Sequence, residues 1–217
     1  MSELSGRHAA PASGEGPLAV LVHGIMDRGR IFRPLQSVLA DAGIASSAPN
    51  LVPNHGAAPL EVLAAQLAEH VEEHVPAHRS VHLLGFSMGA IVARYYLQTL
   101  GGIARTAQFI SVCAPHRGTH WSWLGPLPAM RQMRPGSAFL TRLNDDLDTL
   151  TQRPLTCYWT PFDLVIVPAI SSTLPIGTNV RIDSMCHQCI LNHPQLHRDV
   201  RTRILDSAAA DLPPEKP

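Results

Sequence analysis

The stretch Gly85-Phe86-Ser87-Met88-Gly89 decides the fold, together with what lies on either side of it. Residues 80–84 predict a buried strand, and residues 90–100 carry apolar side chains at helical spacing. A serine in the pattern G-x-S-x-G between a strand and a helix sits on a sharp turn that exposes its hydroxyl. Glycines are needed on both sides of this serine, because larger side chains would collide in so tight a turn. We therefore predict that Ser87 is a nucleophile.

Outward from this turn, short apolar runs alternate with segments of helical periodicity. We expect strands at residues 18–22, 44–49, 81–86, 109–113, 155–159 and 179–182. We expect helices around residues 31–39, 60–71, 91–100 and 196–204. Strands that alternate with helices predict a mostly parallel sheet with helices on both faces.

The length of 217 residues favours a single domain. We expect this domain to span residues 17–207, between flexible tails at residues 1–16 and 208–217. Within it, residues 117–153 fit no single strand–helix unit. A long insertion in a compact domain is usually functional or mobile. The insertion is therefore interpreted either as a lid that moves or as a packed cap.

Charge and hydropathy narrow the class of protein. A formal net charge of zero and a pI near 7.2 give no sign of nucleic-acid binding. The N-terminal residues lack the apolar segment of a signal peptide, and no uninterrupted apolar stretch is long enough to span a bilayer. These features predict a cytoplasmic protein. The sequence predicts neither a cofactor nor a metal.

Cysteine usage leads to a related expectation. The four cysteines are Cys113, Cys157, Cys186 and Cys189. We expect free thiols, as is usual in a reducing compartment. The last two cysteines form a C-x-x-C pattern, for which a redox pair or half of a metal site is the alternative interpretation. No second pair of ligands accompanies the pattern.

A serine nucleophile needs a base, because its free hydroxyl reacts poorly at neutral pH. The only lysine is Lys216, next to the last residue, so a Ser–Lys pair is not expected and histidine is left. In proteins built around this turn, the acid follows the serine and the histidine follows the acid. The candidate acids are Asp145, Asp146, Asp148, Asp163 and Asp183.

Asp163 is the predicted acid. It follows the strand at residues 155–159 after a short turn, which places it at the carboxyl end of the sheet, where sites assemble. Residues 145–148 lie in a polar, helical-looking segment, where solvated charge is the better interpretation. Asp183 lies only four residues before the first candidate histidine, too close to approach it from a separate strand.

The candidate bases after Asp163 are His187, His193 and His197. His197 lies inside the last predicted helix. His193 lies at the N-terminus of this helix, where either Asn192 or His193 would act as the cap before Pro194. His187 lies in the loop directly after the last strand and is the preferred base. It would take the proton of the serine, while the acid holds its tautomer.

An oxyanion hole would use two backbone N–H groups. The first is that of Met88, the residue after the nucleophile. The second comes from the loop after the first strand, where Gly24 lets the backbone approach closely. We choose Ile25 as this second donor and keep Met26 as the alternative. His23 precedes the serine in the chain, so a structural hydrogen bond is its better interpretation.

The sequence resembles the small bacterial lipases and esterases of the α/β-hydrolase superfamily. The segments that carry the resemblance spread over most of the chain in the expected order: 22–25 (V-H-G-I), 85–89 (G-F-S-M-G), 114–119 (A-P-H-R-G-T), 163–168 (D-L-V-I-V-P) and 186–191 (C-H-Q-C-I-L). The resemblance implies a minimal α/β-hydrolase fold with about six strands. It also supports His187 over His193, and Ile25 and Met88 as the oxyanion donors.

The resemblance implies an ester hydrolase that forms an acyl-enzyme. A small-molecule or lipid ester is the expected substrate. Trp121 and Trp123 help to make the insertion apolar enough to cover an acyl pocket, and transient contact with a lipid interface is a further expectation. An acyltransferase or a phospholipid deacylase on the same residues is the alternative, and a catalytically silent binding protein is less favoured. The chain departs from its relatives at Phe86, where histidine is common, at Cys113, where serine or glycine is common, and at Cys186, where glycine is common.

Overall fold

A computed structural model of the chain describes residues 16–210, the last of them by its backbone alone. Its centre is a six-stranded sheet in the order β2-β1-β3-β4-β5-β6, and every neighbouring pair of strands is parallel. The strands are β1 (Leu18–Val22), β2 (Ala45–Ser47), β3 (Val81–Phe86), β4 (Thr106–Val112), β5 (Leu155–Trp159) and β6 (Thr178–Arg181). The predicted number and direction of the strands are confirmed.

Helices cover both faces of this sheet. They are α1 (Arg33–Asp41), α2 (Leu60–His74), α3 (Met88–Thr99), α4 (Pro128–Gln132), α5 (Ala138–Asp145), α6 (Leu147–Thr151) and α7 (Pro194–Ala210). Short 3₁₀ turns lie at Gly29–Phe32, Gly102–Arg105, His120–Leu124, Ala169–Ser172 and Cys189–Asn192. Within the described range, no helix combines the length and the apolar character that crossing a bilayer requires.

The alternation of side chains along β1 divides the core into two layers. Val20 and Val22 pack with the apolar sides of α2 and α3, whereas Ala19 and Leu21 pack with those of α1 and α7. Burial on both faces explains why the central strands are continuous apolar runs. The sheet is therefore a rigid platform, and loops at the carboxyl ends of its strands can hold side chains in fixed positions.

Several boundaries differ from the predictions. Strand β4 begins at Thr106, ahead of the expected start at residue 109. Helix α7 continues to Ala210, past the expected end of the domain at residue 207. Residues 117–153 form one 3₁₀ turn and the three short helices α4, α5 and α6. The tails predicted at residues 1–16 and 208–217 lie almost wholly outside the described residues.

Candidate active site

The turn between β3 and α3 holds Ser87 in a conformation that few residues adopt. Its φ of 53° and ψ of −127° lie outside the regions normally open to residues with side chains. A Cβ on Gly85 would lie 2.4 Å from Ala90 Cα, and one on Gly89 would lie 2.3 Å from Val22 O. The two glycines are therefore required by close backbone approach. A hydrogen bond of 2.8 Å from Ser87 N to Val112 O ties the turn to β4.

Asp163 and His187 meet at the carboxyl end of the sheet, although 24 residues separate them in the chain. Asp163 lies in the loop after β5, and His187 lies in the loop after β6. His187 Nδ1 and Asp163 Oδ2 are 2.7 Å apart, and both side chains are buried. The structure therefore brings together the acid and the base that the sequence predicted.

Backbone donors hold the other oxygen of the same carboxylate. Asp163 Oδ1 accepts hydrogen bonds from Val165 N at 2.9 Å and from Ile166 N at 2.8 Å. Burial alone would raise the pKa of Asp163, but the hydrogen bond and charge of His187 and these two amides more than offset it. The net pKa is below the ordinary value of 3.8, so Asp163 is an anion at neutral pH.

Ser87 lines the same cleft as His187. Among the described hydrogen bonds none joins Ser87 Oγ to the His187 ring. The ring instead lies against Phe86, with the two ring centroids 4.8 Å apart. In unliganded enzymes such catalytic contacts are often long and tighten only when substrate binds. The three predicted residues therefore occupy one site, with the acid–base contact already made.

The loop after β1 lies beside Ser87, as predicted for the oxyanion donors. A Cβ on Gly24 would lie 3.1 Å from Ser87 Cβ, so only a bare backbone fits there. The alternative donor is already engaged, because Met26 N donates to Asn54 O at 2.9 Å. This bond favours Ile25 over Met26. The amide of Met88 lies at the N-terminus of α3, where helix amides are free to bind an anion.

His23 and the capping histidine have the structural roles that the sequence suggested. His23 is buried, and its Nε2 accepts a hydrogen bond from Leu51 N at 3.0 Å. His193 Nδ1 accepts from Gln195 N at 3.2 Å, beside the start of α7. His197 contacts Leu191 O through Nε2 at 2.6 Å, away from the cleft. Of these four histidines, only His187 combines burial with a hydrogen bond to a carboxylate.

Cys113 is a member of the site that the sequence analysis noted only as a departure from its relatives. It follows the last residue of β4 and has a φ of 47°, a left-handed conformation that favours glycine. Burial raises the pKa of its thiol well above 9.0, and the charge of Asp163 and a hydrogen bond to Asp163 raise it further. The neutral thiol is therefore a donor to the acid.

Cys113, Asp163 and His187 are also the one group of potential metal ligands among the described residues, with ligand atoms within 4.8 Å of one another. The hydrogen bond between His187 and Asp163, and the interaction of the Cys113 thiol with the same carboxylate, explain this spacing. The cluster therefore fits a hydrogen-bonded chain of thiol, carboxylate and imidazole.

The C-x-x-C pattern corrects an expectation. Cys186 and Cys189 form a disulfide, whereas Cys113 and Cys157 are free and buried. The prediction of free thiols is therefore wrong for Cys186 and Cys189. The spacing of Cys186 and Cys189 lets their sulfurs meet across one turn. The disulfide closes a ring that contains the backbone of His187 and Gln188.

Asp27 is a second acid that the sequence analysis missed. It lies in the loop after β1, and its Oδ1 accepts a hydrogen bond of 3.1 Å from Gln188 Nε2. Burial raises its pKa above 3.8, and the charges of His23 and His187 and the bond from Gln188 partly offset this effect. Because 161 residues separate the partners, no local pattern in the sequence could have indicated the contact.

Two spaces open beside Ser87. The large cleft has a volume of about 430 Å³ and is lined by Asp27, Phe162, Leu164, Met185, His187 and Gln188. The small pocket has a volume of about 90 Å³ and is lined by Met88, Pro115, Trp121, Met130, Met133 and Ile166. Ile25, Ser87 and Val165 line both spaces. A substrate bound at Ser87 can therefore extend in two directions.

Comparison with known proteins identifies the family to which the chain belongs. The model of the alpha/beta hydrolase family matches residues 19–185, which is most of the chain. The protein therefore belongs to the alpha/beta hydrolase family, and its resemblance to lipases and esterases of this fold is confirmed. A search of the curated proteins finds no match.

Solved structures of lipases share the fold at low sequence identity. The mature lipase BlEst2 of Bacillus licheniformis superposes with a TM-score of 0.68 and 18% identity, over 89% of this chain and 93% of that one. Lipase B of Aspergillus fumigatus gives a TM-score of 0.74 and 17% identity, over 95% of this chain and 61% of that longer chain. The monoacylglycerol lipase of Paleococcus ferrophilus gives 0.66 and 15%, over 88% of this chain and 96% of that one.

Proposed function

We propose that the protein is a serine hydrolase that cleaves carboxylic esters, with Ser87 as nucleophile, His187 as base and Asp163 as the acid that orients it. The observation that carries the proposal is the 2.7 Å hydrogen bond between His187 Nδ1 and Asp163 Oδ2, in the cleft that Ser87 lines. The strained backbone of Ser87 adds support, because such strain concentrates at functional sites.

In this mechanism His187 Nε2 takes the proton of Ser87 while Oγ bonds to the ester carbonyl carbon. The carbonyl oxygen becomes an anion, which the amides of Ile25 and Met88 stabilise. The intermediate then collapses, the bond to the alcohol oxygen breaks, and His187 gives its proton to the leaving alcohol. Water repeats the sequence on the acyl-enzyme and releases the carboxylic acid. Asp163 stays ionised and stabilises the charged imidazole.

The charges around the large cleft favour a neutral ester over a phospholipid. Among its described lining residues, only Asp27 and His187 carry titratable side chains, and neither a lysine nor an arginine is present. A phosphate in the leaving group would lie near the Asp27 carboxylate without a cationic partner. Since an uncompensated charge in a partly desolvated site is costly, a phospholipid is a poorer substrate.

The test is labelling of the protein with a fluorophosphonate probe, together with hydrolysis of p-nitrophenyl butyrate in water. We expect one label per chain and steady turnover, and neither in Ser87→Ala. A burst without further turnover, relieved by an added alcohol, would identify an acyltransferase instead. Failure of the wild-type protein to label or to turn over would contradict the proposal and favour a silent binding protein.

A further inference from the structure

The two spaces beside Ser87 have different relations to the proposed base. His187 lines the large cleft, whereas the small pocket has Met88 in its wall and does not include His187. The leaving alcohol oxygen must receive its proton from His187, so the alcohol has to lie in the large cleft. The acyl chain then extends past the amide of Met88 into the small pocket.

The small pocket can bury only a short acyl chain. Its volume of about 90 Å³ is less than the roughly 150 Å³ of a dry cavity that holds benzene. By proportion it accommodates on the order of four carbon atoms. The large cleft, at about 430 Å³, falls in the range of pockets that bury much larger groups.

Hydrogen bonds hold the wall of the small pocket in place. Trp121 Nε1 donates to Leu164 O at 2.6 Å, and Thr119 Oγ1 donates to Val165 O at 2.7 Å. Both bonds fasten the start of the insertion to the loop that carries Asp163. Met130 lines the same pocket, and a Cβ on Gly125 would lie 2.3 Å from its Sδ, so Met130 packs directly on the Gly125 backbone.

We propose that the substrate is an ester of a short carboxylic acid, up to about four carbons, with a larger and mostly apolar alcohol. This inference rests on the proposed ester hydrolysis at Ser87. Met130 limits the length of the acyl chain. Phe162, Leu164 and Met185 supply the apolar walls that receive the alcohol.

The first experiment measures kcat/KM for the p-nitrophenyl esters of acetate, butyrate and octanoate. Each ester is used at concentrations at which it does not form micelles. Each methylene that the pocket buries should raise kcat/KM about fourfold. We therefore expect a rise from acetate to butyrate and a fall of at least about tenfold from butyrate to octanoate. A wild-type protein that prefers octanoate would overturn the inference.

Two substitutions of Met130 should move this limit in opposite directions. Met130→Ala frees room for about two methylenes, so the octanoate-to-butyrate ratio should rise at least about tenfold. Met130→Phe fills the pocket, so butyrate should lose at least about fourfold relative to acetate. Leu205→Ala, at a half-exposed position on α7, is the control and should leave both ratios unchanged. Unchanged ratios in both folded Met130 variants would contradict the assignment of the pocket.

The second experiment varies the alcohol at constant acyl group. We expect 2-phenylethyl butyrate to exceed methyl butyrate in kcat/KM by at least about tenfold, because the aromatic ring is buried in the large cleft. Met185→Ala should reduce this preference and leave the octanoate-to-butyrate ratio unchanged. A protein that labels at Ser87 but prefers methyl butyrate would refute the substrate class and leave the proposed function intact. A protein that neither labels nor cleaves any ester would refute the proposed function itself.

Discussion

The turn that carries Ser87 and the loop that carries His187 belong to one site, yet different interactions hold them. The turn is buried throughout, and close backbone contacts at Gly85 and Gly89 determine its shape. The loop lies at the surface, where Met185 is 90% exposed beside His187. Specific bonds hold this loop: the disulfide next to His187, the contact to Asp163, and the contact from Gln188 to Asp27.

The protein therefore holds its two catalytic groups in position in two different ways. Steric exclusion in the turn leaves no alternative conformation, so it needs no partner side chains. The loop depends on partners from distant parts of the chain, and each partner can be removed singly. We therefore expect substitutions of the glycines in the turn to affect folding, and substitutions around the loop to affect activity first.

The largest expected effect is the loss of the base. His187→Ala should lower kcat/KM for p-nitrophenyl butyrate by at least about 10⁴-fold, because His187 is the one histidine among the described residues that line the cleft with Ser87. The control is His193→Ala, which removes only an acceptor beside α7. This control should retain activity within about threefold and lose about 1 kcal/mol of unfolding free energy. The reverse ranking of the two variants would refute the assignment of the base.

The second largest expected effect is a loss of unfolding free energy from steric overlap in the turn. In Gly89→Ala the new methyl group would lie 2.3 Å from Val22 O and 2.4 Å from His23 O, both backbone atoms of β1 or its following loop. We expect a loss of about 3 kcal/mol in denaturant unfolding, since neither atom can move aside. Gly101→Ala, at φ 74° in open space, should cost only about 1 kcal/mol. Equal losses would show that close contact does not determine the turn.

The same contrast explains how much the sequence could reveal. The turn and the strands were predictable because their signals are local: glycines at fixed offsets from Ser87, and apolar runs of strand length. Asp163 and His187 could be selected by their order in the chain and by their positions after strands. Asp27 could not, because its role depends on a contact across 161 residues. The disulfide was missed because the expected compartment, rather than geometry, decided the interpretation of Cys186 and Cys189.

The disulfide offers the third test, directed at the loop. Replacement of both half-cystines in Cys186→Ser/Cys189→Ser opens the ring that contains His187. The loop then keeps only two of the three bonds named above, those to Asp163 and Asp27. We expect kcat/KM to fall about tenfold, while the closure of so short a loop contributes only about 2 kcal/mol to stability. Dithiothreitol should produce the same fall in the wild-type protein and none in the double variant. Unchanged activity after verified reduction would show that the ring does not position the histidine.

Cys113 should have a smaller effect, because its thiol acts on Asp163 and not on Ser87 or His187 directly. Cys113→Ala removes a donor to the carboxylate, and a hydrogen bond of this kind is worth about 1 kcal/mol. We expect kcat to fall about fivefold with KM unchanged, and Cys113→Ser to restore most of the loss because a hydroxyl also donates. If serine fails to rescue a well-folded protein, the thiol has a packing role only.

Asp27 should have the smallest effect. It tests whether the charge of this carboxylate stabilises or destabilises the folded protein. Its folded pKa lies above 3.8, so the ionised carboxylate opposes folding, and the cost appears as the pH rises through 3.8 and the folded value. Asp27→Asn keeps an oxygen acceptor for Gln188 and removes the charge. Because Asp27 is only half-buried, the variant should gain no more than a few tenths of a kcal/mol at pH 7. Urea unfolding at pH 7 and pH 3 measures this difference, which should vanish at the lower pH. A variant less stable than the wild type at pH 7 would mean that Asp27 stabilises the loop; a more stable one would mean that its charge is retained for the cleft.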